Sequence, residues 1–240
     1  LAEVAGLGRG VDRSGVISAE GEQRGREILE RYRDHCKNLG VDQIVAVGTS
    51  ALRDAQNSAA VLARLRARLG FDIRVISGAE EAAYSFLAVR RGLSRLDEEL
   101  LVIDVGGGST EFIRGNRQGV AQALSIDIGS VRLTERYLFA DPVGADEVAA
   151  MMAAINAELA DLAKRFPAAD GAVTLVGIAG TFTTLAAVEK KLARYSHSEV
   201  HGSRLGLAEV RRQMALFRER TQAERKRIVG LDAKRADVIF

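Results

Sequence analysis

The sequence predicts an α/β protein made of two related halves, and a repeated motif, a glycine-rich hairpin and the composition carry that expectation. Residues 45–55, VAVGTSALRDA, and 176–187, VGIAGTFTTLAA, each read as a strand, a Gly-Thr loop and a helix start, and each follows a strand and a long amphipathic helix. Between them, residues 100–115, LLVIDVGGGSTEFIRG, read as a buried strand, a tight glycine turn and a returning strand. With 240 residues, 47% hydrophobic and 28% charged, the chain has apolar material for one large or two ordinary domains. In the second half the hairpin stands before the repeated unit. The first half opens at Leu1 beyond that point, so a preceding hairpin is expected outside the sequence.

In chain order, residues 1–15 read as a strand and a loop. Ser18 caps a helix that carries Ile28, Leu29, Tyr32 and Cys36 at helical spacing and stops near residues 38–40. Residues 44–47 read as a buried strand running into Gly48, Thr49, Ser50 and Arg53, the kind of loop where α/β proteins place ligands. Asn57 or Ser58 caps a helix with Val61, Leu62, Leu65 and Leu69 on one face. Residues 71–76 form a strand ending in SGAEE, and a helix follows from residue 82 to about 91. Past the hairpin come a strand at 120–128 and a helix at 131–138 with Leu133 and Tyr137 inward. Pro142 opens a longer helix whose apolar positions, Val148, Met151, Met152, Ile155, Leu159, Leu162 and Phe166, recur every three or four residues. A strand at 174–178 enters a loop at Ala179, Gly180 and Thr181 that leads into a helix. Residues 194–204 read as loop, Thr221 and Glu224 form a capping box, and a last helix starts after Asp232 and runs to Phe240.

Composition narrows the function classes. The 34 basic and 32 acidic residues leave a formal charge of +2, scattered along helices, which disfavours nucleic acid as a partner. Cys36 is a single cysteine, and no apolar run approaches the roughly 20 residues of a membrane span, so a cytoplasmic location with no membrane partner is expected. His35, His197 and His201 have no ligand spacing, which argues against zinc. The hairpin tip is the chemically dense point: Asp104 and Glu111 flank Gly106, Gly107, Gly108, Ser109 and Thr110. Two carboxylates with a nest of donors suit a phosphate and its magnesium ion. The plainer alternative is a hairpin turn with exposed carboxylates that binds nothing.

These motifs resemble the exopolyphosphatase / guanosine pentaphosphate phosphohydrolase family, a branch of the superfamily of actin, the sugar kinases and the heat-shock ATPases. The resemblance covers nearly the whole chain. It rests on VAVGTSALRDAQN at 45–57, VISGAEEA at 75–82, VIDVGGGSTEF at 102–112, IGSVRLTERYL at 128–138 and GIAGTFTTLAA at 177–187. It implies two RNase H-like (actin-like ATPase) domains with mixed β-sheets flanked by helices and a cleft between them, the first at 1–79 and the second at 80–240. It further implies removal of terminal phosphate from polyphosphate or from guanosine pentaphosphate (pppGpp), with Mg2+ or alternatively Mn2+, by a homodimer whose partners are polyphosphate or guanosine pentaphosphate or tetraphosphate. The N-terminal Asp-Ile-Gly-Thr-Asn hairpin of the family is not in this sequence.

Glu81 matches the family's catalytic carboxylate, the base that takes a proton from the attacking water. Glu80 stands beside it, and both residues also suit the positive end of a helix. Asp104 is the expected metal ligand, while Glu111 holds the metal or orients the water. Gly106 to Thr110 form one expected phosphate cradle, and Gly180 with Thr181 the second. Gly177 and Gly180 can equally permit close packing. Arg53 is expected to neutralise a polyanion, with an ordinary surface arginine as the alternative. His201 is read as a solvated loop residue and Cys36 as packing.

Overall fold

The computed structural model describes residues 3–93, 99–166 and 171–240. Contacts divide the chain into two compact units, Leu1–Glu81 and Ala82–Phe240.

The first unit holds helices α1 (Val11–Ser14) and α2 (Ala19–Asn38), strand β1 (Ala46–Gly48), helices α3 (Ser50–Asp54) and α4 (Ser58–Leu69), and strand β2 (Ile73–Val75). Helix α5 (Gly78–Gly92) starts within it. Ser18 caps α2 as expected, its hydroxyl accepting the Gly21 amide at 3.1 Å. The apolar faces of α1, α3 and α4 bury Val11, Leu52, Val61, Leu65 and Leu69 in one core, against which Leu29 of α2 and Ile73 of β2 pack. Strands β1 and β2 pair in parallel.

Several expectations for this unit fail. No strand forms before α1 among the described residues; the glycines at Gly6, Gly10 and Gly15 take positive φ and wind that segment into turns around a single helical turn. Leu1 and Ala2 lie outside the described residues. Strand β1 is shorter than the expected 44–47 run, and it is not buried as expected: Val47 is 46% exposed, and Val45, just before the strand, 80%. Asn57 precedes α4 but does not cap it, since its side-chain amide instead pairs with both the N–H and the C=O of Ile17 at 2.9 Å.

The second unit is built on a mixed sheet of strands β3 (Glu99–Val105), β4 (Thr110–Asn116), β5 (Gly119–Ile126) and β6 (Val173–Ile178), in the order β5-β4-β3-β6. β3, β4 and β5 are antiparallel neighbours, and β6 lies parallel to β3. Alternation along β3 feeds two helical layers. Leu100 and Val102 pack on Ala82, Phe86 and Val89 of α5. Leu101 and Ile103 point the other way, toward Leu159 and Leu162 of helix α7 (Ala145–Arg165). Burying each such side chain contributes roughly 1.5–3 kcal/mol, so the hairpin is held firmly from both faces.

Helix α6 (Ser130–Tyr137) follows β5, and helix α8 (Ala179–Glu189) follows β6 with no intervening loop. The chain turns at Ala179, whose φ of 65° is left-handed. Helices α9 (His197–Val200), α10 (Leu207–Arg218) and α11 (Gln222–Arg225) and a 3₁₀ turn at Ala233–Arg235 complete the unit.

Here too the structure corrects the expectations. Pro142 stands before α7 rather than in its first turn, because Glu147 reaches back to the amides of Gly144, Phe139 and Ala140 and fixes the helix start after Gly144. Residues 194–204 contain the short α9, and α10 has no counterpart in the expectations. The final helix is only a 3₁₀ turn: the Asp232 carboxylate accepts the Lys234 amide, and irregular chain follows to Phe240. Among the described residues no helix is long and apolar enough to cross a membrane.

Candidate active site

The turn between β3 and β4 is closed by the Gly106 amide donating to the Ser109 carbonyl at 3.0 Å, and its remaining carbonyls all face α6. The Gly106 oxygen accepts the Ser130 amide at 2.9 Å, and the Gly107 oxygen accepts the Arg132 amide at 3.1 Å. The Gly108 oxygen accepts the Gly129 amide at 3.3 Å and Arg132 Nε at 2.7 Å. In a trans peptide the N–H points opposite to the C=O of the same plane. Fixing the carbonyls of Gly106, Gly107 and Gly108 on the helix therefore turns the amides of Gly107, Gly108 and Ser109 away from it. Among the described residues these three amides have no hydrogen-bond acceptor. Successive outward amides in a fixed turn form an anion-binding concavity.

The helix can come this close because Gly129 has no side chain. A Cβ there would lie 2.3 Å from the carbonyl carbon and oxygen of Gly107.

The neighbouring hydroxyls do not add to the cradle. Ser109 Oγ donates to Glu111 Oε1 at 2.7 Å, and Thr110 Oγ1 donates to the Ile128 carbonyl at 2.9 Å. Glu111 is 1% exposed and requires such donors; its Oε1 also accepts from Ser125 Oγ at 2.7 Å.

Asp104 and Glu111 are direct cross-strand partners, so their side chains share one face of the sheet, the face that carries α5. Ser85 of α5 donates to Asp104 Oδ2 at 2.8 Å. Burial pushes the Asp104 carboxyl above the usual range, opposed by the Ser85 bond. No basic side chain pairs with Asp104 among the described residues.

A half-buried carboxylate beside a second one, with no cationic partner, fits a hard divalent cation. No cluster of three or more ligating side chains occurs among the described residues. An ion held here would keep several waters, as Mg2+ does, and Asp104 would be among its few protein ligands.

Glu80 and Glu81 have different environments. Glu80 accepts from the Ser77 amide at 2.9 Å and from Ser77 Oγ at 3.1 Å, and pairs with Arg74. These bonds hold its carboxyl down to about 2. It is a helix-start residue. Glu81 is half-buried, with Arg53 Nη1 3.4 Å from its Oε2. The same nitrogen donates to the Ile76 carbonyl at 3.0 Å, while Nε and Nη2 of Arg53 donate to nothing among the described residues.

Gly180 and Thr181 occupy the first turn of α8, where amides lack intrahelical acceptors. Gly177 is a packing glycine: a Cβ there would lie 2.2 Å from the Phe182 ring. Gly180 makes room for something else. A Cβ there would fall 2.0 Å from Nη1 of Arg235, so this guanidinium lies directly on the α8 start, with no hydrogen bond or ion pair among the described residues. Arg235 is thus a candidate phosphate contact that the sequence reading omits, since a Lys-Arg pair 55 residues from Gly180 gives no local signal. His201, by contrast, stacks on His197 at 5.2 Å and bonds the Gly92 carbonyl at 2.9 Å, outside these loops.

Known proteins are similar to this chain along nearly its whole length. Exopolyphosphatase 2 of Mycobacterium tuberculosis is 34% identical over 238 residues, covering 97% of this chain and 74% of that protein. The bifunctional 3-dehydroquinate synthase/phosphatase of Fusobacterium nucleatum is 31% identical over 247 residues, 99% of this chain, which spans only 36% of that longer protein. A crystal structure of an exopolyphosphatase-like protein superposes with a TM-score of 0.92 at 33% identity, over 100% of this chain and 74% of that one. The model of the Ppx/GppA phosphatase family matches residues 3–240, and with these relatives it establishes that the chain belongs to that family.

Proposed function

We propose that the protein is a magnesium-dependent phosphohydrolase that removes the terminal phosphate of inorganic polyphosphate or of pppGpp. The observation that carries this reading is the triplet of outward amides at Gly107, Gly108 and Ser109, fixed through the carbonyls of Gly106, Gly107 and Gly108 and without acceptors among the described residues. Such donors receive phosphoryl oxygens without reorganising, which favours the charge that develops as the terminal P–O bond breaks. The α8 start with Arg235 and the unspent donors of Arg53 are further positive elements for a polyanion.

Attack needs a water whose proton is accepted as its oxygen bonds to phosphorus. Glu81 takes that proton in this proposal, and the shortened chain leaves with the electron pair of the broken bond. Glu80 is the poorer base, because a carboxyl held down to about 2 has little affinity for a proton near neutrality. Asp104, oriented by Ser85, would hold the magnesium. When bound, the ion neutralises charge on the phosphoryl oxygens. Glu111, buried against Ser109 and Ser125, supports the turn from beneath and orients the water or the ion.

The test is phosphate release by the full-length protein from long-chain polyphosphate and from pppGpp, with magnesium and with EDTA. Release with magnesium that stops on chelation is expected. Binding without release from either substrate would indicate a sensor, and ATP-dependent phosphorylation of a small acceptor would indicate a kinase.

A further inference from the structure

Arg132 stands in the first turn of α6, in a stretch where neither its charge nor its spacing marks it. Its main-chain N–H holds the Gly107 carbonyl at 3.1 Å and its side-chain Nε–H holds the Gly108 carbonyl at 2.7 Å. One residue therefore fixes two successive peptide planes of the glycine turn. The bond from its side chain is the shorter of two to the Gly108 oxygen, the other being the Gly129 amide at 3.3 Å. By peptide planarity, the first bond aims the Gly108 amide outward and the second aims the Ser109 amide outward.

The side chain is only 12% exposed, and its Nη2 lies 3.7 Å from Oδ1 of Asp127. A buried guanidinium whose Nε–H is committed to a carbonyl is placed to shape the turn rather than to meet the ligand. We propose that Arg132 is a positioning residue for phosphate: it sets the direction of the amides in the Gly107–Ser109 cradle through its Nε–H bond to the Gly108 carbonyl. This rests on the reading of that turn as the phosphate cradle.

Side-chain geometry supplies the test. Gln carries its amide nitrogen as many bonds from Cα as Arg carries Nε, so Arg132→Gln keeps the donor and loses the charge. Arg132→Met loses both, and Arg132→Lys keeps the charge but moves its donor one bond farther out. Inorganic phosphate and tripolyphosphate would be titrated into the full-length wild type and each variant, following the amide resonances of Gly107, Gly108 and Ser109, with KM and kcat measured alongside.

Expected are a phosphate Kd roughly tenfold higher for Met, a Kd for Gln within about threefold of wild type, and Lys weaker than Gln. KM should rise with Kd, and kcat should fall alongside, because the same amides meet the charge that develops as the bond breaks. If Met does not fold, the comparison of Gln with Lys decides: Lys binding more tightly than Gln overturns the proposal. Met binding as tightly as wild type, or Gln as weak as Met, overturns it as well. Wild-type amides that do not respond to phosphate overturn the functional reading and this inference together, whereas responsive wild-type amides with an unchanged Met variant overturn the inference alone.

Discussion

Gly129→Ala tests whether the contact between α6 and the glycine turn creates the cradle. The backbone at Gly129, with φ −81° and ψ 156°, suits any residue, so an alanine there brings no conformational strain of its own. The cost is steric. Its Cβ would lie 2.3 Å from the carbonyl carbon and oxygen of Gly107 and 2.4 Å from the carbonyl carbon of Gly108. Carbon atoms pack at about 3.5–4.0 Å, so helix and turn must part by roughly 1 Å.

That movement would stretch the bonds from Gly129, Ser130 and Arg132, now 3.3, 2.9 and 3.1 Å, beyond hydrogen-bonding range. Three lost bonds, partly relieved by relaxation, correspond to about 2–5 kcal/mol, or a fall in Tm of roughly 5–15 °C for a chain of this size. The turn would also lose the constraint on its amides, and phosphate affinity should drop at least about tenfold, which is 1.4 kcal/mol. Thermal unfolding followed by circular dichroism and calorimetric titration with inorganic phosphate measure the two effects. An unchanged Tm with unchanged phosphate affinity would show that the close approach of α6 does not shape the turn.

Other substitutions probe separate parts of the site. Gly180→Ala places a methyl where the Arg235 guanidinium now lies. The tip of a flexible side chain can swing away, so stability should change by less than about 1 kcal/mol while tripolyphosphate binding weakens several-fold; an unaltered affinity in a titration would remove Arg235 from the site. Asp104→Asn should raise the magnesium concentration needed for half-maximal activity, with excess magnesium partly restoring the rate, because occupancy follows mass action; a magnesium dependence identical to wild type would exclude Asp104 as a ligand. Glu80 has its carboxyl lowered in the folded state from 4.5 to about 2, so its contribution to stability is fully present above pH 4.5 and disappears as pH falls toward 2. The Tm difference between wild type and Glu80→Gln should shrink over that interval, and a difference that grows on acidification would contradict the cap.

The parts of this molecule that one segment encodes are visible in its sequence. The apolar run before Asp104 and the triple glycine define a buried hairpin because strand burial and turn geometry are local properties. The Ser18 cap and the Thr221–Glu224 capping box are legible for the same reason. What depends on partners distant in sequence is not. Asn57 has the chemistry of a helix cap but is drawn to the backbone of Ile17, 40 residues away. Val45 reads as a core residue, yet it is 80% exposed. Helix α10 escapes notice because its buried contacts are few and one of them is the polar Gln213, which reaches the Leu185 carbonyl.

The site divides in the same way. Carboxylates and glycines are apparent as residue types, but the direction of the cradle amides comes from α6, and Arg235 reaches Gly180 only through the fold. Ser109 and Thr110 look like phosphate donors, yet their hydroxyls serve Glu111 and Ile128, since a buried carboxylate and a part-buried carbonyl take them first.

The proposed hydrolysis of a terminal phosphate with Glu81 as the base is decided by a single-turnover measurement of phosphate release by Glu81→Gln beside Glu80→Gln. Gln keeps the size and hydrogen-bonding reach of Glu but cannot take a proton. The prediction is a rate lower by about 10²- to 10⁴-fold for Glu81→Gln with substrate affinity nearly unchanged, and a near wild-type rate for Glu80→Gln. A fast Glu81→Gln enzyme, or a loss confined to Glu80→Gln, would contradict it.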